Sequence, residues 1–292
     1  MQGRQLGDVT IARVLEMNTP EFDPYEFFPE TTLEDWEPHL HWLQPHAMDP
    51  ISGKLVFPMQ SYVVQSKHHT ILIDSCVGNH KERSFLPKWH QKTDTTYIDN
   101  LAKLGLTPED IDIVMCTHLH PDHVGWNTKL VDGRWVPTFP NAEYVFSRKE
   151  FDYWKEFNER RPLDHLIDSV LPIEVAGQAK LVANDHAVDD SVWLESTPGH
   201  TPDHFSVRLA SAGSDAVFTG DMIHSPIQTH FPEWAARPDY KTDIAGATRR
   251  AFLEKYCDSG VLVCTMHFPL PSAGLIVSDG NAFRFEYEEK YW

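Results

Sequence analysis

Thr117-His118-Leu119-His120-Pro121-Asp122-His123-Val124-Gly125 places three imidazoles and a carboxylate within six positions, directly after the mostly apolar run Ile111-Asp112-Ile113-Val114-Met115-Cys116. The run is rich in branched residues and predicts a buried strand, so the cluster sits where a strand ends. On an extended backbone, residues two apart face the same side, and the rings of His118 and His120 can reach one ion. Pro121 stops the strand, and Asp122 and His123 follow on the turn. One turn of this kind can serve two metal ions. A solvated histidine-rich loop is the competing reading. With 17 histidines in 292 residues, however, a chance HxHxDH arises in roughly one chain in a few hundred, before any preceding strand is required.

Outward from this stretch, a hydrophobic fraction of 41% is enough to bury a substantial core, and we read residues 1–292 as a single domain. The net charge of −18 disfavours nucleic acid or an anionic membrane as principal partner. Met1 to Asp8 lacks the apolar core and cleavage site of a signal peptide, and no window reaches the roughly 18 apolar residues of a membrane span. The expected location is the cytoplasm. Cys76, Cys116, Cys257 and Cys264 lie in or beside apolar runs without metal-type CxxC spacing, and are expected to be free thiols.

Val9–Leu15 reads as a first strand. Residues 20–58 form an aromatic, acidic, proline-interrupted excursion containing Phe22, Tyr25, Phe27, Phe28, Trp36 and Trp42. These aromatics suit ordinary packing, the wall of a substrate pocket, or the contact of a homodimer. His39 and His41 within it repeat the HxH spacing without a following Asp-His pair, and read as surface histidines. Tyr62–Ser66 and Thr70–Asp74 predict two strands. Asp74, at the tip of the second, either caps the turn or accepts the distal N–H of a metal-bound imidazole. Tyr97, Ile98, Leu101 and Leu104 have helical spacing, Gly105 stops that helix, and Thr107-Pro108-Glu109-Asp110 signals a fresh helix start. Tyr144–Phe146 predicts a strand and Ser147–Phe157 a helix, with Ser147 as N-cap and Glu150 in capping-box position. Phe151 and Trp154 on that helix are expected in the core.

Three later strands carry ligand-type residues at their tips. Val192–Ser196 leads to His200, Ala216–Phe218 to Asp221, and Val261–Met266 to His267. Each alone is an ordinary turn signal. Together with the opening cluster they supply the seven side chains that two M2+ ions need, at about four ligands each and ~2.0–2.2 Å, when one carboxylate and a water are shared.

The order strand-end Asp, HxHxDH, His, Asp, His resembles the metallo-β-lactamase superfamily in its dinuclear hydrolase branch, here as Asp74, His118, His120, Asp122, His123, His200, Asp221 and His267. The resemblance implies an α+β fold, an αββα sandwich of two mixed sheets flanked by helices. It implies that His118, His120 and His200 hold one ion, that Asp122, His123 and His267 hold the other, and that Asp221 bridges them. The imidazole and carboxylate set suits two divalent ions, with zinc preferred over iron, manganese or cobalt.

Within the superfamily, the absence of a glutathione-binding helical domain, of a nuclease insertion and of a signal peptide leaves the lactonases and related esterases, including phosphotriester hydrolases. The Thr-Pro-Gly-His-Thr-Pro context of His200 is shared with that group. The resemblance implies a bridging hydroxide attacking a lactone or ester carbonyl of a hydrophobic small molecule. Acyl-homoserine lactonases commonly carry tyrosine three residues after the bridging Asp, and this chain has His224 there. His224 could act as oxyanion donor or leaving-group acid, or be a plain pocket residue, and with Asp122 it completes the candidate catalytic residues. The alternative from another class is iron-dependent redox chemistry on the same fold.

Overall fold

The computed structural model describes residues 3–291. Contacts divide the chain into two units. One takes residues up to Glu16 together with Met59–His186, and the other takes Met17–Pro58 and Ala187–Tyr291. Each is built on a mixed sheet with helices, as expected for an α+β chain.

The seven-stranded sheet, most of which belongs to the first unit, comprises β1 (Arg4–Leu6), β2 (Val9–Phe22), β3 (Leu55–Gln65), β4 (Thr70–Ile73), β5 (Ile113–Met115), β8 (Glu143–Ser147) and β9 (Ala179–Val182), in that spatial order. Between β5 and β8 the chain forms a separate hairpin of β6 (Thr128–Val131) and β7 (Arg134–Pro137). β3 and β4 pair antiparallel, whereas β4, β5, β8 and β9 are mutually parallel. Parallel strands are covered on both faces and so are apolar throughout: Ile71, Leu72, Ile73, Val114, Met115, Tyr144, Val145 and Phe146 are all buried. Helix Thr96–Lys103 turns Tyr97 and Leu101 into this core. Ser147 caps helix Arg148–Arg160 by accepting from the Glu150 N–H at 3.4 Å. Phe151 is buried there, but Trp154 is only partly so.

Thr107-Pro108-Glu109-Asp110 starts no long helix. It forms a capping box around a single 3-10 turn, Pro108–Asp110, because Ile111 must return at once to feed β5.

In the second unit the strands β10 (Val192–Ser196), β11 (Phe205–Ser211), β12 (Ser214–Phe218), β13 (Leu262–Cys264), β14 (Ala273–Asp279) and β15 (Ala282–Tyr287) lie in sequence order. Only β12 and β13 are parallel, so their connection must cross over. Helix Thr242–Tyr256 lies within that crossover and buries Phe252, Leu253 and Tyr256 against Val217, Val263 and Phe268.

The 20–58 excursion is mostly packing. Asp23 caps helix Pro24–Phe27, and Thr32 and Asp35 box the start of helix Leu33–Trp36. Phe28 and Trp36 are fully buried, with the Trp36 ring 5.3 Å from that of Trp234. His41 is exposed as expected; His39 is half-buried, accepting from Trp42 Nε1 at 3.2 Å with Phe231 edge-on to its ring. No helix among the described residues is long and apolar enough to cross a membrane.

Candidate metal centre

In the first unit, β4 ends at Asp74 and β5 leads into Thr117, so two parallel neighbours deliver both to one end of the sheet. Asp74 takes a left-handed conformation, φ 58°, tolerated by Asp better than by most residues. Its buried carboxylate accepts from the Thr117 N–H at 2.7 Å, from Thr117 Oγ1 at 2.9 Å and from His123 Nδ1 at 2.8 Å. Burial pushes the Asp74 carboxyl up, and the bonds from His123 and Thr117 oppose that push. Since Thr117 Oγ1 donates to Asp74, it accepts from His118 Nδ1 at 3.1 Å. One carboxylate therefore orients two imidazoles, one directly and one through a hydroxyl.

His118 and His123 are buried, and His120 and Asp122 are partly exposed. The His118 ring centroid is 4.7 Å from that of His120 and 4.1 Å from that of His123, and Asp122 Oδ2 is 3.8 Å from His123 Nε2. The turn that carries them is seated by Gly125, whose N–H donates to the Cys76 carbonyl at 2.7 Å. A Cβ at Gly125 would lie 1.8 Å from the Val77 carbonyl oxygen, which only glycine avoids.

In the second unit, Asp221 lies just beyond β12, His267 just beyond β13 and His200 just beyond β10. Three imidazoles face the Asp221 carboxylate. His200 Nε2 and His224 Nε2 lie 3.4 and 3.3 Å from Oδ2, and His267 Nε2 lies 2.9 Å from Oδ1. His200 Nδ1 is held by Asp239 at 2.9 Å, and His267 Nδ1 by the Pro58 carbonyl at 2.9 Å. Hydrogen bonding at Nδ1 of His118, His123, His200 and His267 fixes which ring atom each presents, namely Nε2. Burial pulls the His224 imidazolium down to about 4, against the opposing pull of Asp221, so this ring is neutral near pH 7.

Several supporting residues carry no local sequence signal. Asp239 lies in the irregular Arg237-Pro238-Asp239-Tyr240 loop. Its carboxylate also accepts from the Ala236 N–H at 2.9 Å and pairs with the buried Arg249 at 3.5 Å. Its bond to the His200 imidazole holds the carboxyl down at about 2 despite burial. His204 accepts the Asp221 N–H at Nε2, 3.0 Å, while its Nδ1 meets Thr197 Oγ1 at 2.8 Å. The Thr-Pro-Gly-His-Thr-Pro-Asp-His run thus contributes one imidazole that faces Asp221 through its side chain and another that holds the backbone of Asp221.

The four cysteines are free thiols, three of them buried. Replacing Asp74 by asparagine removes the anionic acceptor shared by Thr117 and His123. Metal affinity and turnover should each fall by about 10- to 100-fold with the fold retained; competition with a chromogenic chelator measures the first, and unchanged affinity would exclude Asp74 from orienting a ligand.

The family model described as the metallo-beta-lactamase superfamily matches residues 56–265. An N-acyl homoserine lactonase of a Bacillus species is 26% identical over 178 residues, covering 56% of this chain and 64% of that one. The chain therefore spans less than two-thirds of the length of that relative. Among solved structures, hydrolase AbOPH in the beta lactamase superfamily is similar at 25% identity and a TM-score of 0.82, over 99% of this chain and 98% of that one. A dizinc quorum-quenching lactonase, AidC, shares the fold at 22% identity and a TM-score of 0.79, over 99% of this chain and 97% of that one.

Proposed function

The chain belongs to the metallo-β-lactamase superfamily, and on that premise we propose that it is a metal-dependent hydrolase of lactone or ester bonds in a hydrophobic small molecule. The observation that carries this reading is the fixed ring orientation of four histidines, each tied at Nδ1 so that Nε2 is presented, together with an acidic residue facing three imidazoles. A purely structural histidine cluster has no need of that uniformity.

We assign His118, His120 and His200 to one ion and Asp122, His123 and His267 to the other, with Asp221 shared. Imidazole nitrogen and carboxylate oxygen are the donors zinc takes, and zinc is the proposed metal. When bound, the two ions supply hydroxide near neutral pH and an electrophile for the carbonyl oxygen.

The residues of the chain do the remainder. Asp74 and Asp239 keep their imidazoles in one tautomer. Asp122, partly exposed, can take up the proton that the attacking hydroxyl gives up and pass it to the departing alkoxide. Phe27 sits edge-on to His224 at 5.3 Å, and Phe57 stacks on His267 at 4.1 Å. These rings exclude water from the imidazoles and favour an apolar substituent on the substrate. The similarity to an N-acyl homoserine lactonase supports a lactone as the ester. The four free thiols support a reducing, cytoplasmic setting.

A panel of lactones, aryl esters and phosphotriesters, assayed before and after chelation, tests the proposal alongside elemental analysis. Lactone or ester turnover should fall about 100-fold or more on chelation and return with zinc, since the ions supply the nucleophile. Absence of metal-dependent turnover on every member overturns it, and iron with a visible absorption band would point to redox chemistry instead.

A further inference from the structure

Helix Thr242–Tyr256 carries Arg249, whose guanidinium is completely buried. Burying that charge is costly unless acceptors surround it. Four do. Nε donates to the Met222 carbonyl at 2.9 Å, Nη1 to the Pro232 and Trp234 carbonyls at 2.6 and 3.1 Å, and Nη2 lies 3.5 Å from Asp239 Oδ2. All four acceptors belong to the chain between β12 and the helix itself.

Two of these contacts back residues assigned above to the metal centre. The Nε contact holds the short 3-10 turn Gly220–Met222 at its last residue, one position beyond Asp221. Asp239 Oδ1 accepts from His200 Nδ1 at 2.9 Å, while Oδ2 accepts from the Ala236 N–H at 2.9 Å and faces Arg249. With both oxygens engaged, Asp239 orients the imidazole, and Arg249 holds Asp239. The helix is also seated on the turn that carries His200. Thr248 Oγ1 donates to the Pro198 carbonyl at 2.7 Å, and a Cβ at Gly199, φ 129°, would come within 2.4 Å of the Ala245 nitrogen. The Tyr240 N–H, next to Asp239, donates to the His200 carbonyl at 2.9 Å.

We propose that Arg249 is a positioning residue of the metal centre, one guanidinium setting the His200 imidazole through Asp239 and the Asp221 carboxylate through the turn that ends at Met222. This rests on the metal centre proposed above. An apolar side chain of similar volume would anchor the helix without a buried charge. The planar fork of arginine reaches four acceptors at fixed angles, which the single ammonium of lysine does not reproduce.

Zn2+ affinity by competition with a chromogenic chelator, and the visible absorption of Co2+-loaded protein, test the assignment. Wild type should take up two ions. Arg249→Lys keeps the charge but loses the fork, and should weaken at least one ion by about 10-fold or more, the scale of losing an outer partner of a ligand, and shift the Co2+ band. Arg249→Met should weaken it further; if that variant folds poorly, the lysine variant carries the test. Phe252→Leu, on the same helix but facing the apolar core, controls for loosening alone. It should lower the melting temperature and leave both affinities and the spectrum unchanged. Wild-type affinities and spectrum in a folded Arg249 variant, or an equal change in Phe252→Leu, overturn the positioning role and leave Arg249 a structural anchor. A wild type that takes up no metal overturns the metal centre and this proposal together.

Discussion

On the proposed assignment, Asp221→Ala should lower kcat/KM for the best lactone or ester by about a thousandfold or more and leave the purified protein with at most one bound ion, because Asp221 would serve both metal positions. The carboxylate is 4% exposed and has three imidazole nitrogens within 3.4 Å. Alanine leaves those rings facing each other with no anion among them, so two cations would have to be held by neutral donors and the remaining carboxylate. Asp221→Asn is the informative companion: it keeps the volume but not the charge. If the carboxylate's role is electrostatic, asparagine should resemble alanine in metal content by elemental analysis. An alanine variant retaining two ions and near-normal turnover would remove Asp221 from the centre.

The largest effect on stability is expected far from these histidines. Asp168, on the turn Leu166–Val170, receives Arg83 in a two-pronged contact, Nη1 to Oδ2 and Nη2 to Oδ1, both 2.9 Å. Lys81 Nζ lies 3.7 Å from Oδ1, donates to Thr128 Oγ1 at 2.6 Å, and sits 3.7 Å over the Trp135 ring. Both cations are essentially inaccessible. Burial pulls the Lys81 ammonium down to about 7 while Asp168 opposes that pull. Asp168→Ala strands the buried Arg83 guanidinium and leaves Lys81 to shed its proton, and should destabilise the fold by about 3–5 kcal/mol, read as a lower denaturant midpoint. Adding Arg83→Met should recover part of the loss, since an unpaired guanidinium is then no longer buried. A single variant within about 1 kcal/mol of wild type, the range of an exposed pair, would show the cluster to be solvated.

What could be read from the chain follows how local each signal is. His118, His120, Asp122 and His123 declare themselves because a strand period and a proline fall inside one short stretch. His200, Asp221 and His267 were legible because each directly follows an apolar strand. Asp239 and His204 were not, since an acid in a proline-containing loop or a second histidine in a turn acquires its role only through a partner brought near by folding. Thr107–Asp110 misled because capping signals start a 3-10 turn as readily as a helix, and the length available before β5 decided between them. The hairpin of β6 and β7 did carry a signal, the Asp132-Gly133 pair, with both residues at positive φ. The aromatic excursion was ambiguous at the level of sequence because a buried ring and one lining a site are the same residue type. Folding separates them: Phe28 and Trp36 lie deep, while Phe27 and Phe57 pack against imidazoles.

The segment after Asp74 leaves its sheet at Ile73, yet Glu16 holds it from β2. The buried Glu16 carboxylate accepts from the Val77 N–H at 2.8 Å, from the Gly78 N–H at 3.3 Å and from Trp126 Nε1 at 2.9 Å. Loop amides normally exchange with solvent through low-energy local openings. Here, releasing Val77 or Gly78 would leave a buried carboxylate short of its donors, so their deuterium uptake should be governed by the opening of the surrounding core. In exchange experiments this stretch would behave as an internal strand without belonging to one, and that slow clock is inherited by the turn which Gly125 seats against it.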